Sequence, residues 1–184
     1  LDTETDELYK SIFLEINKKY HFIIPLYIEG MDQFDFQYKK YIIDNLDKKT
    51  KHIITSRLDN DDILHRDFVF KVQEQFDFQK YEAINFLKVL MINPITKKLH
   101  IEYAFSNHFV SLIEEIDENN FKGCYSKQDR YWNVKGEVIQ IYDKPYVIET
   151  INDKNLLNKF RGFPVIRKTK LDQCISPLKY QTKL

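Results

Sequence analysis

Residues 52–64 read His-Ile-Ile-Thr-Ser-Arg-Leu-Asp-Asn-Asp-Asp-Ile-Leu, a β-branched run that ends in acid. Its first seven residues, 52–58, predict a strand. Leu64, Phe68, Val72 and Phe76 then recur at four-residue steps and predict a helix over about 62–76. Upstream, Leu8, Ile12 and Ile16 predict a helix over 6–20, and Tyr38, Ile42 and Leu46 a second over 32–47. The apolar run 21–28 between them suits a strand, weakened by Pro25. Helix and strand thus alternate through the first third, which predicts an α/β layer with some parallel pairing.

Farther along, residues 84–92 and 98–105 read as a hairpin around the turn sequence 93–97. Residues 106–116 read as a short helix with Ser106 as its N-cap. A second hairpin is expected from 138–142 and 146–151 across Asp143-Lys144-Pro145. A short helix over 152–161 would end at Gly162, and the chain from Lys168 onward is a polar tail. We therefore expect one domain over residues 1–165 and a tail over 166–184.

The whole chain bounds the function. It has 184 residues, enough to bury a sizeable core. Lys+Arg and Asp+Glu are each 28, so no basic excess points to nucleic acid or to a polybasic membrane contact. No stretch approaches the length of a membrane span. Cys124 and Cys174 make no disulfide framework and read as two reduced thiols, which fits a cytoplasmic protein, peripheral to a membrane at most.

The chemistry is concentrated in Arg57-Leu58-Asp59-Asn60-Asp61-Asp62. Three carboxylates follow a strand's carboxyl end, the edge where open α/β sheets bind ligands. Such close anions repel unless a cation compensates, and hard divalent cations prefer carboxylate oxygen. Mn²⁺ or Mg²⁺ completed by substrate phosphates is the economical solution. Helix capping by Asp61 or Asp62 is the plain alternative, but it leaves Asp59 unexplained. An EF-hand is excluded, because Phe70 stands where that loop needs its last Glu.

The segment Thr55-Ser56-Arg57-Leu58-Asp59-Asn60-Asp61-Asp62-Ile63-Leu64 resembles the TRLDxDDAL stretch of the putative rhamnosyltransferase family, which is similar to nucleotide-sugar transferases of the GT-A fold. Leu64-His65-Arg66-Asp67-Phe68-Val69 and Ser106-Asn107-His108-Phe109-Val110-Ser111-Leu112-Ile113-Glu114 continue the likeness. Pro145-Tyr146-Val147 through Asn155, with Arg161-Gly162, echo it, so it covers about residues 20–165. The resemblance implies a three-layer GT-A-like α/β fold. It also implies transfer of a sugar, rhamnose among the candidates, from a nucleotide-sugar donor to a glycan acceptor. Asp59 and Asp61 would take the DxD positions and hold the metal. Arg57, Asp59 and Asp62 would bind the donor, with Arg57 on the diphosphate or in a plain ion pair with Asp59.

Two features depart from that pattern. No base-binding first strand is evident before Asp59, and the chain starts at Leu1, so the domain is expected to be incomplete at its N-terminus. Many GT-A enzymes use a C-terminal His as a metal ligand, whereas Asn152 and Asp153 stand in the corresponding region here. His65, four residues and one helical turn after Asp61, reads as a surface helix histidine or as a metal ligand, whereas His100 and His108 show no ligand spacing. For the general base that an inverting transfer needs, Glu114 is the candidate among Glu114, Glu115, Asp117 and Asp129. Trp132 with Tyr131 reads as a sugar-stacking pair or as core. Two rivals stand beside the transferase. One is a module that kept the fold and lost turnover. The other is a phosphohydrolase with Asp59 as nucleophile and Asp61 as acid/base.

Overall fold

The computed structural model describes residues 1–116, 121–125, 138–152 and 159–165. The expected helix 152–161 lies mostly outside these residues, and the tail, Asp117, Asp129, Tyr131, Trp132 and Asp153 lie wholly outside them. The chain divides into two compact units, one of residues 1–50 with 117–121 and one of 51–116 with 122–184.

The first unit carries α1 (Glu7–Lys19) and α2 (Phe34–Asn45). Asp6 caps α1 by accepting from the Leu8 amide at 2.8 Å, and Lys18 and Lys19 sit in its last turn, where the helix dipole favours cations. The strand expected over 21–28 does not form. A single parallel bridge joins Ile28 to Asp2, and Pro25 can donate nothing to a ladder. Among the described residues no strand precedes residue 52.

The second unit begins with β1 (His52–Ser56), β2 (Ile63–Leu64) and α3 (Phe68–Gln73). It continues through β3 (Tyr81–Phe86), β4 (Lys88–Ile92), β5 (Leu99–Tyr103) and β6 (Ser111–Glu115). It closes with β7 (Val138–Ile141), β8 (Val147–Thr150) and β9 (Phe163–Pro164). The first sheet has the order β1-β6-β3-β7 and the second β2-β8-β4-β5-β9. Both are mixed: β3–β7 and β4–β8 are parallel and the other pairs antiparallel. The α/β expectation therefore holds. No helix among the described residues is long and apolar enough to cross a membrane.

Four local expectations need correction. The helix placed at 62–76 shrinks to α3, because Ile63 and Leu64 pair with Ile148 and Val147 instead. The four-residue spacing is still satisfied: Phe68 and Val72 are buried from α3, while Leu64 and Phe76 reach the same core from strand and turn. Residues 84–92 are two strands broken at Leu87, whose N–H bonds Ile141 of the first sheet and whose carbonyl accepts from Ala104 beside the second. Residues 111–115 are a strand, β6, flanked on both edges by β1 and β3 and buried through Glu114. A short run apolar on both faces cannot be told from a helix by period. Finally, 138–142 and 146–151 form strands but no hairpin. Asp143–Pro145 carries the chain from one sheet to the other, so β7–β8 runs alongside β3–β4 in the same direction.

The hairpin of β4 and β5 is as expected. Asn93 closes it, its Oδ1 accepting from the Ile95 and Thr96 amides at 3.0 and 2.8 Å. One core joins the two sheets and α3, including Phe68, Ile84, Phe86, Val89, Met91, Phe109 and Val147. β9 packs against β5 at Gly162 (φ +67°), where an added Cβ would come within 2.1 Å of the Ile101 carbonyl oxygen.

Candidate functional site

The register of β1 and β6 builds the site. Ser56 pairs with Ser111, so the residues leaving β1 and those approaching β6 lie side by side. The Arg57 amide donates to the Val110 carbonyl at 3.1 Å, and the two serine hydroxyls meet at 2.7 Å. Asp59 therefore emerges opposite His108, across an antiparallel step that the sequence does not display.

The chain then turns tightly, with the Asp62 amide donating to the Asp59 carbonyl at 3.2 Å. The Asp62 carboxylate is 2% exposed and fully engaged. Its Oδ1 accepts from the Thr150 amide at 2.9 Å and its Oδ2 meets His108 Nε2 at 2.9 Å. His108 stacks on Phe109, ring centroids 4.0 Å apart. Asp59 is half-exposed, with its Oδ1 accepting from Arg57 Nε at 3.1 Å. Tyr125 flanks the guanidinium, 5.6 Å from its ring centroid, and donates to the Leu58 carbonyl.

Asp59, Asp62 and His108 each offer a ligand atom within 4.8 Å of the other two. Two carboxylate oxygens and one imidazole nitrogen fit a divalent ion such as Mn²⁺, while the all-oxygen preference of Mg²⁺ fits less well. Of the expected metal pair, Asp59 belongs to this group and Asp61, exposed on the turn, does not. Arg57, Asp59 and Asp62 are brought together.

Glu114 sits elsewhere. It is 3% exposed near the far end of β6, opposite Ile53, and its two oxygens accept from the Lys122 and Gly123 amides at 2.8 Å each. That arrangement braces a turn. Glu115 is exposed beyond it. His65 lies in the turn before α3, where its Nδ1 accepts from the Asp67 amide at 3.1 Å. Burial, aided by Lys144, pulls its pKa down, in keeping with a neutral acceptor ring.

Sequence reasoning missed two residues here. His108 was hidden by reading 106–116 as a helix, which would have turned it away from β1. Glu149, on β8, is 1% exposed beside the core residues Val147 and Met91. Its Oε2 accepts from Arg161 at 3.0 Å, and its Oε1 has no hydrogen-bond partner. Burial pushes its carboxyl pKa up, Arg161 and His108 oppose that, and Asp62 adds to it. Arg161 in turn grips Glu102 with its Nε, 3.0 and 2.9 Å from the two carboxylate oxygens.

No curated protein and no solved structure matches the chain. The profile of the family described as "Putative rhamnosyl transferase" matches residues 4–162, a span that includes the acidic turn, His108, Glu149 and Arg161. By that match the chain belongs to the putative rhamnosyl transferase family.

Proposed function

We propose that residues 1–165 act as a divalent-metal-dependent glycosyltransferase domain of GT-A-like architecture, moving a sugar from a nucleotide-sugar donor to a glycan acceptor. The observation that carries this reading is the convergence of Asp59, Asp62 and His108 at the end of β1. Rhamnose is the sugar that the family description suggests.

In this reading Asp59, Asp62 and His108 hold Mn²⁺, or Mg²⁺ less well, which supplies charge neutralisation to the departing diphosphate. Asp62 is fixed by the Thr150 amide on its Oδ1, so its carboxylate is set before any ligand arrives, and His108 Nε2 would exchange its hydrogen bond to Oδ2 for the ion. Asp59 is the more exposed carboxylate of the two, and Arg57, paired with it, would contact the donor diphosphate. Asp61, exposed on the same turn, would contact the donor's ribose. Glu114 is assigned the bracing of Lys122 and Gly123 in place of the base role, because both of its oxygens are already committed to their backbone amides. His108 takes the ligand role that a C-terminal histidine fills in many GT-A enzymes and for which Asn152 and Asp153 offer no histidine here.

The test is donor consumption with several nucleotide sugars and Mn²⁺, read as release of nucleoside diphosphate. Wild type should release it, and Asp59→Asn and Asp62→Asn should each lose about 10²–10³-fold, the scale of removing one electrostatic stabiliser. Phosphate release from a generic phosphate ester, insensitive to nucleotide sugar, would favour the hydrolase. Nucleotide-dependent Mn²⁺ binding without turnover would favour the non-catalytic module.

A further inference from the structure

Glu149 has no role in the site as built so far. β2 pairs antiparallel with β8, with Ile63 opposite Ile148. One rung on, Asp62 stands opposite Glu149, and the Thr150 amide bonded to Asp62 marks that closeness. Opposed residues of an antiparallel pair share a sheet face at a Cβ separation of about 5 Å. On its other side Glu149 is in register with the fully buried Met91. Two carboxylates are thus opposed at the edge of an apolar core, where screening by water and salt is weak.

Anchoring Arg161 does not account for this. The Nε of Arg161 already binds both oxygens of Glu102, and a single hydrogen bond to Glu149 leaves Oε1 without a donor. A buried carboxylate paired so incompletely is costly to a fold. Arg57 pairs with Asp59, Arg161 is shared between Glu102 and Glu149, and the partner of Asp62 is the His108 ring. Asp62, Glu102 and Glu149 thus share one guanidinium and one imidazole, a local excess of carboxylate that suits a cation.

We infer that Glu149 is a positioning residue for the cation site: its buried carboxylate, opposite Asp62, supplies negative charge that draws a divalent cation to Asp59, Asp62 and His108. The inference rests on the proposed function, in which those three residues hold the cation. Glu149 acts through them and touches neither donor nor acceptor.

The experiment is titration of the full chain with Mn²⁺ alone at pH 8, read by the electron spin resonance of free Mn²⁺, with circular dichroism to certify folding. Wild type should bind one ion, and Asp62→Asn should abolish that binding. Glu149→Gln, equal in shape and lacking the charge, should weaken it by about tenfold. Glu149→Asp should recover most of the loss. Glu149→Met, similar in volume and uncharged, should weaken binding to the same extent as Glu149→Gln, which also serves if Glu149→Gln does not fold. Melting of the metal-free proteins should show Glu149→Gln at least as stable as wild type. Affinity unchanged in Glu149→Gln or in Glu149→Met overturns the role of Glu149 while leaving the cation site standing. A wild type that binds no Mn²⁺, or an Asp62→Asn variant that binds it equally, overturns the cation site and this inference together.

Discussion

Cys124 shows how far burial alone decides the chemistry of a residue. It is 1% exposed, its amide donates to Thr55 Oγ1 at 3.0 Å, and burial pushes its thiol pKa up to about 11. At pH 8 such a thiol is about 0.1% thiolate, the only form that alkylates readily. Iodoacetamide labelling at Cys124, followed by peptide mass spectrometry, should therefore be slow in the native protein and should rise about tenfold per pH unit. Labelling at the rate of an unburied thiol would contradict the placement. The same lesson separates the histidines. His65 stands four residues after Asp61 and suggested a ligand by spacing, yet its ring nitrogen is taken by its own turn. His108 had no suggestive spacing, and the strand register brings it to Asp62. Carboxylate chemistry was legible because three acids adjoin one strand end. The imidazole was not, because its partner lies 46 residues away.

At the scale of elements, the stretch leading into β6 is held almost wholly by two asparagines. Asn85 donates to the Ala104 carbonyl at 2.8 Å and to Gln140 Oε1 at 2.7 Å, and its Oδ1 accepts from the Asn107 amide. Asn107 donates to the Phe86 carbonyl at 2.8 Å and accepts from the Phe109 amide at 2.9 Å. These bonds fix the backbone on both sides of His108. Asn107→Ala should cost about 1–3 kcal/mol in thermal or urea unfolding, through the unpaired Phe86 carbonyl and Phe109 amide. It should also weaken Mn²⁺ binding, measured by calorimetry, although it removes no ligand. Unchanged affinity would show that His108 keeps its place without Asn107. Legibility followed the range of the forces. α1, α2, β1 and the β4–β5 hairpin are set by capping, period and a turn within a few residues, and all were readable. β2, β6 and the β7–β8 step are set by partners far along the chain, and there local period misled.

At the scale of the whole molecule, the α/β class was readable from alternation, but the division of the nine strands among the described residues into two mixed sheets was not. It depends on where a continuous apolar run changes sheet, and Leu87 is that point. Its N–H belongs to the ladder with β7, and its carbonyl receives the Ala104 amide beside β5. One residue thus terminates two hydrogen-bond systems, and any rotation about its backbone that frees one disturbs the other. Opening either sheet alone is therefore penalised, and the second unit should melt as a single cooperative body. Native-state hydrogen exchange would register this directly. The amides of Leu87 and Ala104 should share one opening free energy with the slowest amides of β3 and β4, in place of two separate values. Were the two sheets to exchange independently, Leu87 would be a mere connector. If they exchange together, a backbone-disrupting change at this one position would reach the acidic turn on one sheet and Glu149 on the other at once.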